Sequence, residues 1–235
     1  MQYVRYEVVE PHIALITLDR ADRLNALGAQ LSAELEEALG RYEDDPGLRA
    51  AVLTGAGRAF CAGADVKEWA ATGAAPFRGA PRHLLFHDWG TPNLSKPLIG
   101  AVRGYCLGAG LNLVLMRCDL RVAGESARFG LPEVARGVMD LCTPFAYQAV
   151  PTCFVAELAL TGDAVDAHRA HHFGLVNQVV PDDQVVEAAL ALARRIVRHS
   201  PAAVRATKRN LLQVMAPPEG RCAVENQLRQ ASFAS

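Results

Sequence analysis

Two short segments place glycine and alanine where a strand gives way to a helix: Cys61-Ala62-Gly63-Ala64-Asp65 and Leu107-Gly108-Ala109-Gly110-Leu111. Backbone N–H groups at the start of a helix have no intrahelical acceptor, and the helix dipole adds partial positive charge there. Residues this small let a ligand reach the backbone itself. Two such turns facing each other would offer two N–H donors to one oxygen. That is an oxyanion hole, suited to a carbonyl that becomes an enolate or a tetrahedral anion, and each donor is worth about 3 kcal/mol of barrier. A plainer role, tight turns with close helix-to-sheet packing, fits a single turn of this kind better. A phosphate loop fits less well, because neither a GxxxxGK[ST] run nor a complete GxGxxG is present.

Other reactive side chains form weaker patterns. His168, His171 and His172 share one expected helix, but a metal site would need a further defined ligand and supporting hydrogen bonds. A solvated helix face accounts for them, and no metal is expected. Cys61 and Cys106 flank the two turns. A nucleophilic thiol needs a base beside it, and no histidine is near either in sequence, so packing is the expected role.

The elements that must hold these turns follow from periodicity. VRYEVV and HIALITLD alternate around Glu10-Pro11 and read as a hairpin. Leu31, Leu35, Ala38, Leu39 and Tyr42 recur at helical spacing until Asp44-Asp45-Pro46-Gly47 stops the run. AAVLTG (50–55) reads as a buried strand, Arg58–Gly63 as a loop, and DVKEWAA as a short helix in which Asp65 and Glu68 resemble a capping box. Thr72–Pro81 reads as a loop rich in Gly, Ala and Pro, followed by a helix around Arg82–Trp89. PLIGAV (97–102) is a strand, GYCLGAG a glycine-rich turn, LNLVLM a buried helix, and CDLRVAG (118–124) a strand. Strands alternating with helices predict an α/β fold with parallel strands. Beyond residue 140 one short strand, LVNQVV, remains among helices at Phe154–Leu160, Asp166–Phe173, Asp183–Arg198, Ala202–Met215 and Glu219–Ala231.

Composition sets the outer limits. The chain has 235 residues, 51% hydrophobic and 21% charged, with a formal net charge of -1. It can build a sizeable core and is too apolar for a disordered chain. The charge balance argues against a nucleic-acid partner held by a broad basic field. The uncharged run Gly104–Met116 spans 13 residues between Arg103 and Arg117, short of the roughly 20 that cross a bilayer. No apolar leader opens the chain and none of the six cysteines forms a CxxC pair. A cytoplasmic protein with reduced thiols, without a membrane or nucleic-acid partner, is expected.

Six blocks, in order and covering nearly the whole chain, carry a resemblance to a known family. They are RLNAL (23–27), FCAGADVKEW (60–69), KPLIGAVRGYCLGAG (96–110), CDLRVAGESARFGLPEV (118–134), LTGDAVDAHRAHHFGLVNQVV (160–180) and SPAAVRATK (200–208). The chain resembles the crotonase superfamily of enoyl-CoA hydratases, isomerases and their relatives. The resemblance implies a ββα spiral with two perpendicular sheets over residues 1–180. It also implies a C-terminal helical trimerisation region over 181–235, and a homotrimer or hexamer. The substrate would be an acyl-CoA thioester, with no cofactor beyond its coenzyme A moiety. Carried over residue by residue, the oxyanion donors are the N–H groups of Ala64 and Ala109. Coenzyme A lies along Arg23, Leu24, Ala26, Ala62, Ala64, Asp65, Val66 and Lys67, with Gly108 at the second turn. Glu133, in FGLPEV, is the implied acid/base; on position alone a surface or capping Glu is the plainer reading. A carboxylate near a thioester α-carbon can take and return a proton.

The chain also departs from the family pattern. Hydratases of the family carry a second catalytic Glu two residues after the later glycine-rich turn, where this chain has Asn112. Five residues, Leu113–Arg117, separate Asn112 from Cys118, one more than usual, so counting back from Cys118 selects Leu113 instead. Neither is an acid, and Asn112 can hold a water but cannot deprotonate it. Where relatives often have Pro-Gly-x-Gly-Gly, this chain has Met139-Asp140-Leu141-Cys142-Thr143-Pro144. Asp140 is either a second acid/base or, the better-supported role, a helix cap. The chain stops at Ser235, near where a last family helix would begin, which implies altered cofactor affinity or assembly, or a truncated form. Enoyl-CoA isomerisation by a single Glu is the first expectation, hydration the second. A catalytically degenerate CoA-binding or scaffold subunit is the alternative from another class.

Overall fold

The computed structural model describes residues 1–72, 94–137 and 150–215. All but the first residue of the loop expected at Thr72–Pro81 lies outside the described residues. So do the helix expected at Arg82–Trp89, Asp140, and the helix expected at Glu219–Ala231.

Alternation in the first twenty residues produces the expected antiparallel hairpin, β1 (Val4–Glu10) and β2 (Ile13–Leu18). β3 (Ala50–Gly55), β5 (Leu98–Val102), β7 (Leu120–Gly124) and β10 (Gln178–Val180) add to it in parallel, giving a six-stranded sheet in the order β1-β2-β3-β5-β7-β10. Both faces of the central strands β2, β3 and β5 are covered, which is why these read as nearly unbroken apolar runs. The two-residue period sorts them cleanly. Ala51, Leu53, Leu98, Val102 and Ala123 face the main core with α1 (Ala29–Asp44). Ile13, Ala50, Val52, Ile99, Ala101 and Val122 face the other way, against Val185, Ala189 and Ala193 of α6 (Val185–Val197). The helix that the sequence groups with the trailing region is thus the outer layer of the sheet.

Between the long strands lies a second sheet, in the order β4-β6-β8-β9: β4 (Ala59–Cys61), β6 (Tyr105–Leu107), β8 (Arg128–Gly130) and β9 (Val165–Asp166). The first three are parallel. In chain order the repeat is β3-β4-α2, then β5-β6-α3, then β7-β8 and a short turn of 3-10 helix at Val134–Arg136, with α2 spanning Val66–Thr72 and α3 Ala109–Arg117. This is a ββα coil, each turn laying one strand into each sheet. Sequence alone reads β4 as loop and β6 as turn. Three residues are too few to show alternation, and these strands exist because consecutive coils hydrogen-bond to one another.

Beyond the third coil come α4 (Thr152–Thr161), α5 (Ala167–His172) and α7 (Pro201–Met215). Buried lysines fix the last of these. The Lys208 ammonium donates to the Asp119 carboxylate and to the Lys96 carbonyl, both at 2.8 Å. Lys96 in turn donates to the Tyr42 and Asp45 carbonyls at 2.9 and 2.6 Å, closing the C-terminal end of α1. Among the described residues no helix is long and apolar enough to cross a membrane.

Candidate active site

The first three strands of the second sheet run parallel, so their C-terminal ends lie side by side. Cys61 is in register with Cys106, and Leu107 with Gly130. The residues that leave those ends are therefore neighbours although far apart in the chain: Ala62–Asp65 after β4, Gly108-Ala109 after β6, and Leu131–Glu133 after β8.

The first two turns touch. A Cβ placed on Gly63 would stand 3.1 Å from the Leu107 carbonyl oxygen and 3.7 Å from the Ala109 nitrogen. One on Gly110 would stand 2.5 Å from the Cys61 carbonyl oxygen, so α3 packs against the end of β4 at backbone distance. Ala64 is half-buried and Ala109 buried. Leu27 bonds to both neighbours of Ala64, donating to the Gly63 carbonyl at 2.8 Å and accepting from the Asp65 N–H at 3.1 Å. In this parallel bridge the N–H of Ala64 points away from Leu27. Ala109 is the first residue of its helix and its N–H has no intrahelical acceptor. Among the described residues neither N–H donates to a backbone carbonyl.

The third turn brings Glu133 to the second. Gly108 has φ 51° and ψ -122°, a conformation open to glycine. A Cβ there would stand 2.6 Å from a Glu133 carboxylate oxygen. Glu133 is half-buried, at the head of the short 3-10 turn. Asn112 lies one helical turn beyond Gly108, to whose carbonyl its N–H donates at 2.9 Å, and its side chain is 1% exposed. Leu113, the other residue that spacing selects, is also buried.

The remaining site residues named from sequence gather around the first turn. Leu24 and Ala26 are half-buried, and the Leu24 carbonyl accepts the Ala62 N–H at 3.0 Å. Arg23, Val66 and Lys67 are exposed, with Arg23 3.8 Å from Asp22. Asp65 is buried and engaged within the protein. Its carboxylate accepts the N–H groups of Lys67 and Glu68 at 3.2 and 3.1 Å and pairs with Arg20 at 2.8 Å. Burial alone would raise this carboxyl, but the Glu68 N–H, the Arg20 guanidinium and the Lys67 N–H together hold it below the usual aspartate value. Only half of the expected capping box forms. Glu68 does not return to Asp65; it accepts the Ala29 N–H at 2.9 Å and so caps α1, across the space that Gly28 leaves open.

Asn25 is the important residue that sequence reasoning passes over. It is fully buried, with φ 55°. Its carboxamide accepts the Arg20 N–H at 2.8 Å and donates to the carbonyls of Ala56 and Ala59 at 2.9 and 2.8 Å. A lone amide inside the apolar LNAL run is the signal that marks it. Cys61, Cys106 and Cys118 are buried and free. Burial pushes the Cys61 and Cys118 thiols up to about 12 and Cys106 well above its ordinary value, which suits packing rather than attack. His168, His171 and His172 are exposed on α5.

The doubled-sheet ββα coil is the fold of crotonase-type enzymes. The chain belongs to the enoyl-CoA hydratase/isomerase family, whose sequence model matches residues 9–234. It is 40% identical over 206 residues to a mevalonyl-coenzyme A hydratase of Aspergillus fumigatus, covering 86% of this chain and 75% of the relative. It is 39% identical over 206 residues to a 2,3-dehydroadipyl-CoA hydratase of Escherichia coli, covering 87% and 80%. Among solved structures, an enoyl-CoA hydratase of Mycobacterium tuberculosis superposes with a TM-score of 0.86 at 29% identity, over 99% of this chain and 100% of the other.

Proposed function

We propose that the protein stabilises the enolate of an acyl-CoA thioester with the N–H groups of Ala64 and Ala109, and that Glu133 moves the proton. A thioester carbonyl gains negative charge as its α-proton leaves, and two preorganised donors lower the cost of that charge. The coenzyme A moiety binds along Arg23, Leu24, Ala26, Ala62, Asp65, Val66 and Lys67 and supplies remote binding energy that fixes the acyl group. In the preferred reaction Glu133 takes a proton from the α-carbon of a 3-enoyl-CoA and returns it at the γ-carbon, moving the double bond to the 2-position. The observation that carries this reading is the Glu133 carboxylate lying against Gly108, with the buried amide of Asn112, not a second carboxylate, one helical turn away. One base suffices for a proton shuttle, whereas activating water and protonating carbon together ordinarily employ two.

Hydration of a 2-enoyl-CoA is the second reading, and it is favoured by the relatives, since those nearest 40% identity are hydratases by name. Their acyl groups differ from one another, so the acyl group here is left open. The test is turnover of 3-hexenoyl-CoA and crotonyl-CoA by the wild type and by Glu133→Gln. Isomerisation of the first, falling by on the order of 10²–10⁴ in the variant, is the expected result. Hydration of the second alone would replace isomerase by hydratase. Turnover of neither, with coenzyme A still bound, would leave a scaffold subunit, and activity surviving in Glu133→Gln would move the base elsewhere.

A further inference from the structure

We propose that Asn25, assisted by Arg20, is a positioning residue that aims the Ala64 N–H; the inference rests on the proposed oxyanion role of that N–H. Ala64 has no long strand to hold its peptide plane. Its turn is held from one side by the RLNAL segment, through the Leu24 carbonyl on the Ala62 N–H and through Leu27 on both neighbours of Ala64. That segment is itself irregular. Leu24 and Asn25 both occupy the left-handed region, at φ 52° and 55°, a conformation that side-chain-bearing residues hold only when their surroundings enforce it. The Leu24 and Asn25 N–H groups, on the Ala21 and Arg20 carbonyls, share in enforcing it, and the Asn25 carboxamide ties the result to the rest of the fold.

With one oxygen and two N–H donors, Asn25 ties three separate backbone groups together. The Arg20 N–H precedes the segment, the Ala56 carbonyl follows β3, and the Ala59 carbonyl begins β4. β4 is the strand that runs into the Ala62–Asp65 turn. Asn25 therefore locks the RLNAL segment to the root of the same strand whose tip carries Ala64. Arg20 closes the far side, pairing with Asp65 at 2.8 Å and donating to the Ala26 carbonyl at 3.3 Å. Between the two tethers the Ala64 peptide has little freedom to rotate. An amide tilted away from the carbonyl oxygen would still leave the coenzyme A segment in place, so the loss would fall on the reaction step more than on binding.

Asn25→Asp is the discriminating variant. It is nearly isosteric and keeps the acceptor for the Arg20 N–H, but it removes both donors and sets a carboxylate against two carbonyls. Asn25→Ser, which can still supply one donor, covers the case in which the aspartate variant does not fold. The readouts are kcat and KM on whichever enoyl-CoA the wild type turns over, and the absorption band of a bound dimethylaminocinnamoyl-CoA. That chromophore shifts to the red when its thioester carbonyl is polarised by hydrogen bonds. The expected result is a kcat lower by roughly 10- to 100-fold with KM nearly unchanged, together with loss of much of the red shift. Arg20→Lys should do the same more weakly. A folded Asn25 variant that keeps the full red shift and wild-type kcat, with only a lower melting temperature, would overturn the inference and leave Asn25 a purely structural clasp. A wild type that binds the chromophore without any red shift would sink the oxyanion reading itself, and this inference with it.

Discussion

The two amide-bearing turns are built by opposite means. The turn at Ala62–Asp65 is held by polar side chains: Asn25 clamps the segment beside it, Asp65 caps α2, and Arg20 bridges the two. The turn at Gly108–Gly110 is held by shape. Its glycines let backbone meet backbone at Cys61 and make room for Glu133, and the helix that follows is buried through Leu111, Asn112, Leu113, Val114 and Leu115. A polar clasp is directional and fails when a donor is lost. A packed turn tolerates changes of polarity around it but not added volume.

Gly108→Ala should have the largest effect of the substitutions that separate these cases. The new methyl would overlap the Glu133 carboxylate in a backbone conformation that alanine avoids. With Glu133 as the proposed base, a loss in kcat on the order of 10²–10⁴ is expected from steady-state kinetics. Gly110→Ala comes next. Its Cβ has no room beside the Cys61 carbonyl and must push α3 off β4, costing roughly 1–3 kcal/mol in a denaturant titration, with a smaller loss of rate than at Gly108.

Asp65→Asn probes the polar turn through pH. A carboxyl held below its unfolded value stabilises the fold above that value, and the contribution disappears as pH falls through the folded one. Wild-type stability should therefore decline from about pH 4 downward, and Asp65→Asn should be less stable near neutrality with a flatter acid limb. An identical acid limb in both proteins would show that Asp65 does not carry the dependence.

The smallest effect is expected at the thiols. At pH 8 a thiol with its pKa near 12 is ionised in only about one molecule in 10⁴. Iodoacetamide on the folded protein should modify the exposed Cys153 and spare Cys61, Cys106 and Cys118, as read by peptide mass spectrometry, without loss of activity. Rapid alkylation of Cys61 would mean that the packed side of the site opens far more than its burial implies.

How much of this the sequence discloses depends on whether a feature is local. The long strands and α1 announce themselves because burial on a regular surface leaves a period, as in Leu31, Leu35, Ala38, Leu39 and Tyr42. The two small-residue turns are legible for the same local reason. β4, β6 and β8 are not, since three residues carry no period and their pairing partners lie a whole coil away. Glu68 illustrates the limit most plainly. Its spacing from Asp65 is that of a capping box, yet it caps α1, 39 residues upstream, because Gly28 brings that helix start within reach. Asn25 escapes notice for a related reason: every group it binds is backbone, and backbone acceptors leave no mark on composition. The resemblance to a family supplied what periodicity could not, namely Glu133 as an implied acid/base; that it lies against Gly108 is visible only in the fold.

The three parallel strand ends behave as a ruler. Adjacent strands stand about 4.8 Å apart, so the spacing of the residues that leave their ends is graduated by the main chain, and only the reach of the Glu133 carboxylate is added by a side chain. Under the roles proposed for them, exchanging the acid at the third mark, or the amide one turn into α3, would alter which bond is made while both N–H groups stay at their stations. A scaffold measured in this way can change its chemistry without being resurveyed.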